Sequence, residues 1–141
     1  MSTDRHKAIY RQFIQEAFNE ARFDHLDALV APDYFVHDRP PGTPNGREAI
    51  PAIVSSMRTA FPDFTLTIEE LVAEGDVVSA RSTFRGTHRG PIFGVAATGR
   101  PVEVTGLTLV RFRDGQLVES WVRNDQQGLL AQLGVDPSVA R

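Results

Sequence analysis

Apolar residues recur every three to four positions in the first part of the chain and every second position in the rest. Ile9, Phe13, Ala17 and Ala21, with Ile14 and Phe18 widening the stripe, predict an amphipathic helix over residues 4–22. Asp24 is placed to cap a short second helix in HLDALVA, which Pro32 ends. DYFVHD reads as a short strand and RPPGTPNG as a loop. Asn45 opens a third helix whose apolar side is Ile50, Ile53, Val54, Met57 and Phe61. Pro51 stands near its start, where a missing N–H costs least.

After Phe61-Pro62 the period turns from helical to alternating. DFTLTIEELVAEGDVVSARSTFRGTH predicts two strands joined at Glu74-Gly75-Asp76. RGPIFGVAATGRP is a long loop, and VEVTGLTLVRFRDGQLVESWVRND is a hairpin turning at Asp114-Gly115. A last short helix holds Leu129, Leu130 and Leu133. Helices first and strands afterwards predict an α+β fold, a curved and mostly antiparallel sheet with helices packed on its concave face, in a single domain over residues 1–141.

Regular pairing outward from the Asp114-Gly115 turn sets Phe112 opposite Leu117, Val110 opposite Glu119, Thr108 opposite Trp121, Gly106 opposite Arg123 and Val104 opposite Asp125. One face then mixes Phe112, Thr108 and Trp121 with Glu119, Arg123 and Asp125, and a single bulge would flip the count. The opposite face, with Val118, Ser120 and Val122 beside Leu107, Leu109 and Arg111, needs a cover, which a second copy of the chain would supply.

Asp125 has two readings. It caps the helix that follows, accepting a backbone N–H, or it ends the strand inside a pocket as a general base. The first lowers its pKa and the second gains from a raised one. His37 is either a half-exposed residue at a strand end or an imidazole donating to a substrate oxygen. His88 closes the alternation Val78, Ala80, Ser82, Phe84, Gly86. It is read first as an anchor for the loop that follows and is kept among the pocket candidates.

Composition narrows the field. The 141 residues carry a net charge of −3 and no cysteine, so nucleic acid and anionic membrane are not expected partners and thiolate chemistry is excluded. No apolar run reaches bilayer length and the N-terminus has no signal-peptide core, which predicts a cytoplasmic protein. The four histidines show no metal-binding spacing, and no GxSxG, GxGxxG or Walker loop is present, so neither metal nor cofactor is expected.

FPDF, GTHRGPIFGVAATGRPV, RFRDGQLVESW and DQQGLLAQLG together resemble the SnoaL-like polyketide cyclase family, within the nuclear transport factor 2-like superfamily. The resemblance implies a helix-lined cone, a deep pocket for a small hydrophobic or polyketide-like ligand, and a homodimer. It also implies cofactor-independent closure of a polyketide ester ring by intramolecular aldol condensation. The family's acid/base aspartate falls on Asp125 and its pocket histidine on His37; Trp121, Arg123, Thr108, Phe112, Glu119 and His88 are the expected pocket walls. Where cyclases carry a histidine on the penultimate strand, this chain has Thr108-Leu109-Val110. The same cone also supports epoxide hydrolases and isomerases, to which Arg123 and Asp125 at i, i+2 bear a likeness, and non-catalytic binding or dimerisation domains.

Overall fold

The computed structural model describes residues 2–135. Helix α1, Thr3–Phe13, is capped by Ser2, whose side chain accepts the Arg5 N–H, and it buries His6, Ile9, Tyr10 and Phe13. It runs on as a π-helical segment, Ile14–Asn19, that buries Ile14 and Ala17. The expected helix therefore stops early, and Ala21 lies beyond it with φ +51°.

Helix α2, Leu26–Leu29, has no side-chain cap; His25 holds the N-cap position, and Asp24 turns to Arg22 instead. Strand β1, Val30–Val36, begins at once and contains Pro32, which therefore does not end the helix. A proline is tolerated there because β1 is an edge strand, where one backbone donor can go unused. A 3₁₀ turn, Gly46–Glu48, leads into α3, Ala49–Ala60; Asn45 holds the N-cap position of that turn but makes no side-chain cap bond.

Strands β2, Thr65–Glu74, β3, Val77–Thr87, β4, Pro101–Arg113, and β5, Gln116–Asn124, complete one sheet of order β1-β5-β4-β3-β2. β1 runs parallel to β5 and the other neighbours are antiparallel. Asp114 and Gly115 both have positive φ, +53° and +78°, as a two-residue primed turn requires. Helix α4, Gln126–Gln132, follows β5 directly. The fold is the expected α+β half-barrel: an open, mixed but mainly antiparallel sheet with helices against it.

The hairpin register departs from regular pairing. Arg113 opposes Gln116 and Phe112 opposes Leu117, but Arg111 opposes Glu119. Val118 is the extra residue of a β-bulge, so Val118 and Glu119 both point outward and every later residue of β5 exchanges faces. Val110 opposes Ser120, Thr108 opposes Val122 and Gly106 opposes Asn124, which corrects the pairings expected for Glu119, Trp121 and Arg123.

The concave side of the sheet closes over two apolar clusters. The larger joins Ile9, Tyr10 and Phe13 of α1 to Ile50 and Val54 of α3 and to Val78, Val110 and Leu117 of the sheet. The smaller gathers Phe61, Phe64, Phe84, Val104 and Leu129. No helix among the described residues is long and apolar enough to cross a membrane.

Candidate active site

Between the sheet and the helices α1 and α3 lies a cavity of about 160 Å³. A single water needs only roughly 10–15 Å³, so the space suits an organic molecule. Phe13 and Phe18, Ile50, Ile53 and Met57, and Phe64, Leu66, Phe84 and Val104 form its walls. Among the described residues none of those lining it carries a charge; the polar ones are Tyr10, Tyr34, Ser82, Thr108, Ser120 and Asn124.

The alternation of each strand aims these groups inward. Tyr34 shares the buried side of β1 with Val36, and its hydroxyl donates to Ser120 Oγ at 2.7 Å. Burial pushes the Tyr34 phenol up to about 12, with the Ser120 hydrogen bond offsetting part of the effect. Burial raises Tyr10 well above the usual tyrosine range, against a smaller opposing contribution from the Thr108 hydroxyl. Both phenols are therefore neutral at physiological pH and do not act as bases; the Tyr34 hydrogen is already given to Ser120.

The bulge at Val118 places three sequence-derived candidates outside this cavity. Glu119, Trp121 and Arg123 lie on the outer face of the hairpin, beside Arg111, Leu109 and Leu107. His37 joins them there. Its Nε2 lies 2.8 Å from Glu119 Oε2, and its ring stacks on Trp121 with centroids 4.2 Å apart. The His37 hydrogen bond, followed by the Arg111 guanidinium, holds Glu119 below the usual carboxylate range. Arg123 pairs with Asp38.

Of the remaining candidates, Thr108 lines the cavity. Phe112 is buried in the core and stacks on His6 at 4.4 Å, away from the lining. His88 is wholly buried and anchors the loop that follows: its Nδ1 accepts the Thr98 N–H at 3.1 Å, and its own N–H bonds the Arg100 carbonyl. Asp125 caps α4, its Oδ1 accepting the Gly128 N–H at 2.9 Å. It is exposed and directly follows Asn124, the last lining residue of β5.

A cavity on the concave side of such a sheet fits the likeness read from the sequence motifs, and the profile of the SnoaL-like polyketide cyclases matches residues 8–133. The chain belongs to that family. Among SnoaL-like relatives, nogalonic acid methyl ester cyclase of Streptomyces nogalater is 32% identical, over 86% of this chain and 91% of its own length. Aklanonic acid methyl ester cyclase AcmA of Streptomyces galilaeus is 30% identical, with 84% of each chain covered. Among solved structures, TsrD from Streptomyces laurentii superposes with a TM-score of 0.86 at 32% identity, covering 95% of this chain and 98% of that one. IdmH from Streptomyces antibioticus gives 0.78 at 39% identity, covering 92% and 99%.

In this SnoaL-like chain the polar cavity residues that the motifs did not single out are Tyr10, Tyr34, Ser82, Ser120 and Asn124. Two of them had a signal. Ser82 interrupts an otherwise apolar or small inward alternation of β3, and Tyr34 takes the face opposite His37. Ser120 and Asn124 had none, because the bulge decides their side. Glu16, Asp24 and His25, distant in the reading of elements, meet at the surface as an ion network, with His25 Nδ1 2.7 Å from Glu16.

Proposed function

We propose that the protein is a cofactor-independent cyclase that closes a ring within a polyketide-like ester by intramolecular aldol condensation. The observation that carries the reading is a largely apolar cavity furnished with hydroxyls and one carboxamide, in a chain about a third identical to ester cyclases over most of its length. The apolar walls hold a flexible chain folded on itself, so that the two reacting carbons meet; such positioning contributes several kcal/mol to the barrier reduction, on the order of the lower end of known effective molarities.

A base removes a proton from a carbon flanked by carbonyls. The enolate carbon attacks a second carbonyl of the same molecule, forming one carbon–carbon bond, and the resulting alkoxide takes up a proton. Asp125 is the carboxylate next to the lining, one residue beyond Asn124. Its Oδ1 serves the helix cap, which leaves Oδ2 for the proton. The neutral phenol of Tyr10 suits hydrogen-bond donation to an enolate or alkoxide oxygen, as does the hydroxyl of Ser120, which accepts the Tyr34 hydrogen and keeps its own to donate. His37, paired with Glu119 away from the lining, is assigned a supporting role for the β1 end of the sheet rather than proton transfer.

Turnover of cyclisable β-keto methyl esters, nogalonic acid methyl ester among them, tests the reading. Asp125→Asn keeps the cap, since asparagine caps as well as aspartate does. It should leave the fold and ligand affinity intact and lower kcat by about 10²–10⁴-fold. A second reading, a non-catalytic binding domain, is favoured by the lack of any carboxylate among the lining residues. Saturable binding of these esters without turnover would select it. The outer sheet face, with Leu107 and Leu109 exposed beside Trp121, is proposed as the homodimer contact.

A further inference from the structure

Three residues form one row across the sheet: Ser82 on β3 opposes Gly106 on β4, and Gly106 opposes Asn124 on β5. All three line the cavity. Ser82 is 7% exposed, and its Oγ has no hydrogen-bond partner among the described residues. Other buried polar atoms also lack partners, on His6, Arg58 and His88, but Ser82 is the one that belongs to the cavity lining. An unpaired buried hydroxyl costs about 1–3 kcal/mol, a standing penalty that a bound ligand can remove.

The middle of the row shows what stands beside this hydroxyl. A glycine inside a strand weakens it and marks a place where another group comes close. Gly106 has an ordinary negative φ, so no turn demands it. A Cβ at this position would collide with Asn124 Oδ1, whose carboxamide leans over the bare backbone. The row thus runs from the buried Ser82 hydroxyl to the exposed Asn124 carboxamide, whose oxygen covers the Gly106 backbone between them. The bulge at Val118 is what puts neutral Asn124, and not Arg123, at the outer end.

We infer that Ser82, at the buried end of the Ser82–Gly106–Asn124 row, is a subsite for a neutral ligand oxygen, a ketone or ester carbonyl, which accepts from Ser82 Oγ. The inference deepens the reading of the cavity as the cyclase site, because it fixes where one carbonyl of the substrate lies and makes Ser82 a residue that selects for it. A carboxylate is disfavoured in the same place, since no cation lines the cavity to offset its loss of hydration.

Binding, not turnover, provides the test, so that a failure of the cyclase reading and a failure of the Ser82 subsite are separable. The probes are 1-tetralone, a bicyclic ketone, and tetralin, the same skeleton without the oxygen, measured by titration calorimetry. The native protein should bind 1-tetralone about fivefold more tightly than tetralin, the worth of one neutral hydrogen bond. Ser82→Ala should erase that preference while leaving tetralin affinity unchanged. Because the hydroxyl is unpartnered without ligand, the same variant should unfold at the native temperature or slightly above it, which also shows that it folds. A ketone preference that survives in Ser82→Ala, a native protein with no preference, or a native protein that binds neither probe would each overturn the assignment. Absence of turnover with keto esters would leave it standing.

Discussion

Tyr34 and Ser120 show how the cavity is kept polar without being charged. The phenol donates to the serine across the β1–β5 pairing, and Ser120 is only 2% exposed. Tyr34→Phe should strand the Ser120 hydroxyl and lower stability by about 1–3 kcal/mol. Adding Ser120→Ala should recover part of that loss, because removing both partners of a buried hydrogen bond costs less than removing one. Denaturant unfolding of the two single variants and the double variant measures the coupling; strictly additive losses would mean that the bond contributes nothing. Asp125 illustrates the opposite situation, one carboxylate with a visible structural task and a proposed chemical one. The Asn substitution separates them because it preserves the first and removes the second.

At the level of elements, the bulge in β5 governs the site more than any motif does. Deleting Val118 should be tolerated with a modest loss of stability, since Leu117, Ser120, Val122 and Asn124 keep their inward side once the ladder is regular. Deleting Val122 should not be tolerated. It would turn Arg123 into the cavity and Asn124 out of it, and cooperative unfolding should be lost. Circular dichroism melts of the two deletions decide the point, and equal behaviour would refute the register argument. The same bulge explains what could be read from sequence. The helical and alternating periods located α1, α3 and all four long strands, and the Asp114-Gly115 turn fixed the first two pairs of the hairpin. A bulge leaves no period of its own. Regular pairing therefore sets Glu119, Trp121 and Arg123 on the concave face and Ser120 off it, the reverse of what the bulge produces. Pro32 has the local pattern of a helix stop, and nothing in that pattern says that β1 is an edge strand.

For the whole molecule, the outer face of the sheet is the feature in want of a partner. Leu107 is 59% exposed and Leu109 36%, next to Trp121 and the ion network of His37, Glu119 and Arg111. A homodimer through this face should report twice the chain mass by light scattering at micromolar concentration. Leu107→Glu with Leu109→Glu should give a folded monomer, because like charges would then meet across a two-fold axis. A native protein that is already monomeric would remove the proposal. The outward placement of Trp121 matters here, for aromatic residues anchor interfaces more often than their share of surface would suggest.

The absence of charge from the cavity lining, among the described residues, sets how a guest is taken up. Entry resembles partition from water into oil more than docking onto a charged surface. Affinity across a homologous series of esters should climb with each added methylene by about 0.8 kcal/mol until the walls are filled. It should hardly change between low and high ionic strength, since there is no fixed ion in the cavity for salt to screen. A steep fall of affinity with added salt in calorimetric titrations would show that guests are held by the charged exterior instead.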